Sequence, residues 1–129
     1  MNHIVALAET EETVDATGKL VSAPCVDAHF HMDATLSYGQ PRINASGTLL
    51  EGIALWGELK RLQTRQDIVD RALEYCRLAV SKGTLAIRSH VDVPDETFAT
   101  VEALLEVRDR VSGVIDLQLV AFPQDGWFR

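Results

Sequence analysis

The chain predicts an α/β fold built on a parallel sheet, and three observations carry that prediction. From residue 24 onward the segments run strand, two helices, strand, helix, strand. Connections of that length act as crossovers that return each strand in the same direction, with the helices outside the sheet. Each strand also ends in polar residues: His29 and His31 on the first, His90 and Asp92 on the second, Gln124 just past the third. In a (β/α)8 barrel the active site sits at that end. Neither a GxGxxG nor a Walker loop is present, so a nucleotide-binding doubly wound sheet has no motif support.

The elements follow in order. Ile4-Val5-Ala6-Leu7-Ala8 and Thr13-Val14-Asp15-Ala16 are short strand candidates, and Thr17-Gly18-Lys19 supplies turn chemistry after them. The first long strand covers 24–31. In extended backbone, residues two apart share a face. His29 and His31 can therefore reach one metal ion, while Phe30 points the other way into packing. Asp27 falls on the histidine face, and Asp33 lies just beyond. A bare His-x-His is a short pattern that chance also places on loops. Residues 34–47 have no stable period and read as a long loop, either solvated or closing over a substrate.

Thr48 and Glu51 have capping-box spacing and start a helix to about 62, with Leu49, Ile53, Trp56 and Leu59 on its apolar side. Thr64 and Asp67 repeat the signal. The helix after them, to about 82, carries Ile68, Ala72, Cys76 and Ala79 at a clear helical period, and Gly83 ends it. The second strand covers 84–93. A helix over 95–111 presents Phe98, Val101, Leu104 and Leu105 inward, with Glu106 and Arg110 as an outer i,i+4 pair. The third strand covers 114–122.

A length of 129 residues suits one domain with a real core. The net charge of −7 argues against a nucleic-acid groove or an anionic membrane as partner. Small neutral or cationic substrates remain compatible. Cys25 and Cys76 are far apart, lack metal-site spacing, and read as buried, reduced thiols. No apolar run approaches the ~20 residues of a membrane span. Glu9, Glu11 and Glu12 stand where a secretory signal would be basic and then apolar, so the expected setting is the cytoplasm.

Four blocks then carry a resemblance. Val26-Asp27-x-His29-x-His31-x-Asp33, Ser46-Gly47-Thr48-Leu49-x-Glu51-Gly52, His90-Val91-Asp92-Val93 and Ala121-Phe122-Pro123-Gln124-Asp125-Gly126 resemble the cytosine deaminase branch of the amidohydrolase superfamily. The resemblance spans about Val14 to Gly126. It implies a metal-dependent hydrolase on an incomplete (β/α)8 TIM-type barrel, of which residues 23–129 hold the first three strands. Residues 1–22 would be the remnant of a small flanking β-sandwich. His29 and His31 match the first two ligands of a divalent metal, Fe(II) or Zn(II). Gln124 matches the glutamine that pairs with the edge of a pyrimidine ring, and Leu49 matches a pocket-lining position. Asp33, His90 and Asp92 are expected to support the ligands from behind or to serve structure.

The branch also uses ligands and a proton-shuttling glutamate on later strands, which this sequence does not supply. The expectation is therefore an N-terminal part with no acid–base residue of its own, inactive alone and prone to self-association through exposed apolar surface. The partner implied is a nucleobase or similar heterocycle. A triazine or other cyclic-amide amidohydrolase is the alternative within the class, and a non-catalytic truncated half-barrel is the alternative outside it.

Overall fold

Three β-rich segments pair side by side into one parallel sheet in a computed structural model that describes residues 14–93 and 97–126. The strands are β1 (Cys25–Phe30), β2 (Thr84–Asp92) and β3 (Asp116–Phe122), in the order β1-β2-β3. Between β2 and β3 the register is unbroken from Ala86↔Asp116 to Asp92↔Phe122. Between β1 and β2 it is not. Asp27 pairs with Ile87 but Phe30 pairs with Ser89, so three steps on β1 match two on β2. One extra residue in a strand bends it and resets the alternation of side chains.

That irregularity corrects one sequence expectation. Asp27 does not share the histidine face: it pairs with a residue buried under the helices, and its carboxylate accepts the His29 N–H at 3.2 Å. Phe30 does point into packing, stacked on Tyr75 with ring centroids 4.2 Å apart. Of the two cysteines expected to be buried, Cys76 is, but Cys25 opens a strand at the edge of the sheet and is exposed.

The three helices are α1 (Leu49–Leu59), α2 (Arg65–Ser81) and α3 (Ala99–Val111). For α2 the periodic reading holds: Ile68, Val69, Ala72, Cys76 and Ala79 are buried, and Gly83 follows it at φ +86°. They meet Ala103, Leu104, Val107 and Val111 of α3, and Ile87, Val91 and Leu117 of the sheet, in one core. The α2 start is a true capping box, in which Thr64 accepts from Asp67 N and the Asp67 carboxylate accepts from Thr64 N. Thr64→Ala should lower stability by about 1 kcal/mol, read as a shifted urea midpoint with an unchanged slope.

Elsewhere the boundaries and stripes move. In α3 the helix begins at Ala99, because Phe98 takes a left-handed conformation at φ 52° and is exposed rather than inward. The inner stripe is Thr100, Ala103, Leu104, Val107 and Val111. Residues 94–96 of the expected helix lie outside the described residues. In α1 the buried residues are Leu55 and Leu59, not Leu49 and Ile53, and both lie outside the main core. Its capping box is half formed. Thr48 accepts from Glu51 N, but the Glu51 carboxylate turns to Ser46 and Arg42. The strand expected at 13–16 does not form over its described residues 14–16, which are irregular and exposed. The turn after it does form, closed by Lys19 N donating to Ala16 O at 2.9 Å. The candidate at 4–8 lies outside the described residues.

Candidate active site

Because β1, β2 and β3 are parallel, their C-terminal ends lie together, and the polar endings meet there. His29 is the penultimate residue of β1. His31 follows the strand and leads into a 3-10 turn over Met32–Ala34. The extra residue in β1 brings His29 against His90 of β2, ring on ring, with centroids 4.0 Å apart and planes 20° from parallel. His31 lies 5.4 Å from His29 and 5.8 Å from His90, and edge-on to Phe122 at 5.1 Å. Three imidazoles and one phenyl ring thus form a cluster from three strand ends.

Burial, reinforced by the neighbouring His29, holds His31 below its ordinary pKa. His90 is lowered too, first by burial and then by His29 and His31. Both shifts favour the neutral ring, the form in which an imidazole nitrogen binds a metal. The lone pairs lie in the ring planes, so the stacked His29 and His90 send theirs side by side rather than toward one point. His29 and His31, tilted by 54°, are free of that constraint. His90 Nδ1 is buried and finds no hydrogen-bond partner among the described residues. Among the described residues no group of three or more His, Cys, Asp and Glu is disposed to hold a metal ion. The donor chemistry fits a divalent transition metal, and His29 with His31 would provide two of the three or so protein ligands a catalytic site needs.

Beside the imidazoles lies a second, carboxylate-centred network. Asp92 ends β2 and is 2% exposed. Its Oδ2 accepts from Trp56 Nε1 and Lys60 Nζ, both at 2.8 Å, and its Oδ1 accepts from Gln124 N at 3.2 Å. The Asp92 N–H donates to Asp33 Oδ2 at 2.8 Å. Lys60 also reaches Asp125 Oδ2 at 2.7 Å. Burial disfavours the Lys60 charge, but Asp125 and Asp92 outweigh that and leave its pKa above the ordinary value. Arg71 of α2 secures the 3-10 turn from behind, donating to the carbonyls of Asp33 and Thr35 at 3.1 and 3.0 Å. Ser89 does the same from β2, its Oγ accepting Met32 N at 3.0 Å.

Asp33 is 1% exposed, and burial pushes its pKa up to about 6 against the Asp92 N–H that pulls it down. A carboxyl whose folded pKa lies above its unfolded value binds more protons when folded. Its favourable contribution is present at low pH and is lost as pH rises from about 4 to about 6. In metal-free buffer with a chelator, this group alone should take away roughly 3 kcal/mol over that interval. Urea unfolding of the wild type and Asp33→Asn across the interval checks it, since the variant should lose that downward slope.

His31, Asp33, Leu49, Trp56, Asp92 and Gln124 line one open cleft of about 280 Å³. Of the residues singled out in the sequence, five share this cleft, and His29 and His90 stand beside it on the sheet. Leu49, at the first turn of α1, is exposed at its rim. Trp56 and Lys60 had no site signal in the sequence beyond lying four apart on one helical face. The loop over 34–47 contributes only Ala34 to this cleft. It is strapped to α1 instead, through Arg42 to Glu51 at 2.8 Å and to Glu58 at 2.9 Å. Among the described residues no helix is long and apolar enough to cross a membrane.

Comparison with known proteins bears on the family and the fold. The Amidohydrolase family profile matches residues 12–128. The crystal structure of 5-methylcytosine deaminase from Klebsiella pneumoniae liganded with 5-fluorocytosine superposes with a TM-score of 0.84 at 42% identity, covering 95% of this chain and 30% of that one. N-isopropylammelide isopropylaminohydrolase from Burkholderia multivorans superposes with a TM-score of 0.62 at 28% identity, covering 81% of this chain and 26% of that one. N-isopropylammelide isopropyl amidohydrolase of Pseudomonas sp. (strain ADP) is 37% identical over 124 residues, which are 92% of this chain and 30% of the relative. The chain therefore spans about 30% of the length of such relatives, and its three parallel strands with their helices correspond to part of a TIM-type barrel. With the family matched over nearly its whole length, the chain belongs to the Amidohydrolase family and resembles cytosine deaminases within it.

Proposed function

We propose that this chain forms the N-terminal part of a metal-dependent hydrolase that releases ammonia from a pyrimidine. The observation that carries the reading is the meeting of His31, Asp33, Leu49, Asp92 and Gln124 around one cleft at the C-terminal end of the sheet. His29 and His31 stand at its edge. In this reading their imidazole nitrogens hold Fe(II) or Zn(II). When bound, such an ion supplies Lewis acidity that makes water a nucleophile near neutral pH. Gln124 presents a carboxamide, one donor and one acceptor, to the matching edge of a flat ring. Leu49 covers an apolar face of that ring. Asp33 and Asp92 hold the surrounding backbone, and no proton-transfer residue is assigned to this chain. The setting assigned is the cytoplasm, with neither nucleic acid nor membrane as partner. The exposed Leu49, Leu50 and Val26 favour self-association of the isolated chain.

Fluorine NMR tests the ring assignment. 5-Fluorocytosine should show saturable line broadening with the chain, and Gln124→Ala should weaken that binding by roughly tenfold or more, the scale of losing hydrogen bonds in a cleft. Equal binding by both proteins would remove Gln124 as the ring reader. A triazine is the second reading, favoured by the 37% identity to the Pseudomonas relative. Tighter binding of an ammelide than of 5-fluorocytosine would select it.

A further inference from the structure

Helix α1 contributes nothing to the main hydrophobic core, yet it carries Leu49 and Trp56 into the cleft. Its buried Leu55 and Leu59 lie apart from that core. Two polar bonds tie the helix to the end of β2, Trp56 Nε1 and Lys60 Nζ each donating to Asp92 Oδ2 at 2.8 Å. Lys60, at the C-terminal cap of α1, has a side chain only 10% exposed. Its ammonium lies 2.8 Å from Asp92 Oδ2 and 2.7 Å from Asp125 Oδ2. Asp92 in turn accepts the Gln124 N–H through its other oxygen. Gln124 is thus held by its own N–H and by the side chain of the next residue, with both holds passing through the groups around Lys60.

We propose that Lys60 is a positioning residue for ring recognition: its ammonium bridges Asp92 and Asp125 and fixes the backbone from which Gln124 reaches the ring. This rests on the reading of Gln124 given above. Two features make the lysine suited to the task. An ammonium is a compact charge with three donors, so one group can serve two carboxylates on different elements. It also sits 5.9 Å from the Trp56 ring centroid, whose indole N–H shares Asp92 Oδ2. Helix α1, the end of β2 and the loop after β3 are therefore tied at one point, beside the cleft that Leu49 and Gln124 both line.

The test uses the whole chain and its Lys60→Met and Lys60→Arg variants. Amide exchange by NMR reads the Gln124 N–H against core amides of Leu104 and Val107. In Lys60→Met the Gln124 amide should exchange roughly tenfold faster while the core amides keep their protection, a local opening rather than a global one. The Trp56 indole resonance should move, and 5-fluorocytosine affinity should fall by roughly tenfold. Lys60→Arg, which keeps a cation with several donors, should recover most of both losses. Unchanged Gln124 exchange and unchanged ring affinity in Lys60→Met would overturn the proposal. Should Lys60→Met also lose core protection, Asp125→Asn decides instead, since it weakens the loop side without touching buried Asp92. Faster Gln124 exchange then supports the bridge, and exchange equal to wild type overturns it. Failure of the wild type to bind the ring would defeat the reading of Gln124, and the Gln124 amide would still decide whether Lys60 holds that loop.

Discussion

Asp92→Ala should lower the unfolding free energy by about 3–5 kcal/mol, the cost of removing one partner of a buried charge pair. Asp92 is 2% exposed and meets four groups: Trp56 Nε1, Lys60 Nζ, Gln124 N and, through its own N–H, Asp33. Removing the carboxylate strips an acceptor from an indole N–H and a backbone N–H, and leaves Lys60 with one of its two bonded carboxylates. Each buried donor left unpaired costs about 1–3 kcal/mol. Asp92→Asn should cost less, because an amide oxygen still accepts from one of these donors. Urea unfolding monitored by far-UV circular dichroism gives the numbers. A loss below about 1 kcal/mol for the alanine variant would mean that α1 is held by contacts other than this carboxylate.

The layout that makes Asp92 central was only partly legible beforehand. The strong signals were those written in local periodicity: the α2 stripe from Ile68 to Ala79, the Thr64–Asp67 cap, and the parallel order implied by long crossovers. The polar strand endings also point to the cleft where they meet, since parallel strands bring their C-terminal ends together whatever the sequence between them. What stayed hidden depends on pairing across the fold. No glycine or turn residue marks the extra residue between Asp27 and Phe30. Plain alternation therefore sets Asp27 on the histidine face, and the irregular pairing turns it to the other. An apolar stripe usually seeks a core, so helical periodicity alone sets Leu49 and Ile53 inward on α1. Here that stripe borders a cleft, and polar anchors hold the helix. Trp56 and Lys60 gain their meaning from Asp92, more than thirty residues away, and nothing in their own surroundings announces it. Phe98 likewise looked like the first inward residue of α3, and the left-handed turn at that position sends it outward.

Ammonia release is where the largest difference is expected. The chain alone, supplied with Zn(II) or Fe(II) and cytosine or 5-methylcytosine, should give no turnover above buffer. His29 and His31 offer two imidazoles, and the described residues hold no third donor disposed to the same ion. Two ligands leave a metal weakly bound and its geometry unfixed, whereas catalytic sites use about three with one position open to water. A group must also protonate the departing ammonia, and this chain is assigned none. Joining the chain to the remaining length of the Klebsiella pneumoniae 5-methylcytosine deaminase tests whether its own half of the site is competent. The superposition at a TM-score of 0.84 makes that junction feasible. The joined enzyme should release ammonia, and His29→Ala with His31→Ala in it should lower kcat/KM by about 10³-fold or more, as for catalytic groups that act as a unit. Metal content measured on the same preparations separates the causes. Loss of both metal and activity in the double variant is the expected pair. Metal retained at wild-type stoichiometry would remove the two histidines as ligands. Turnover by the 129-residue chain alone would require donors other than the imidazoles described above.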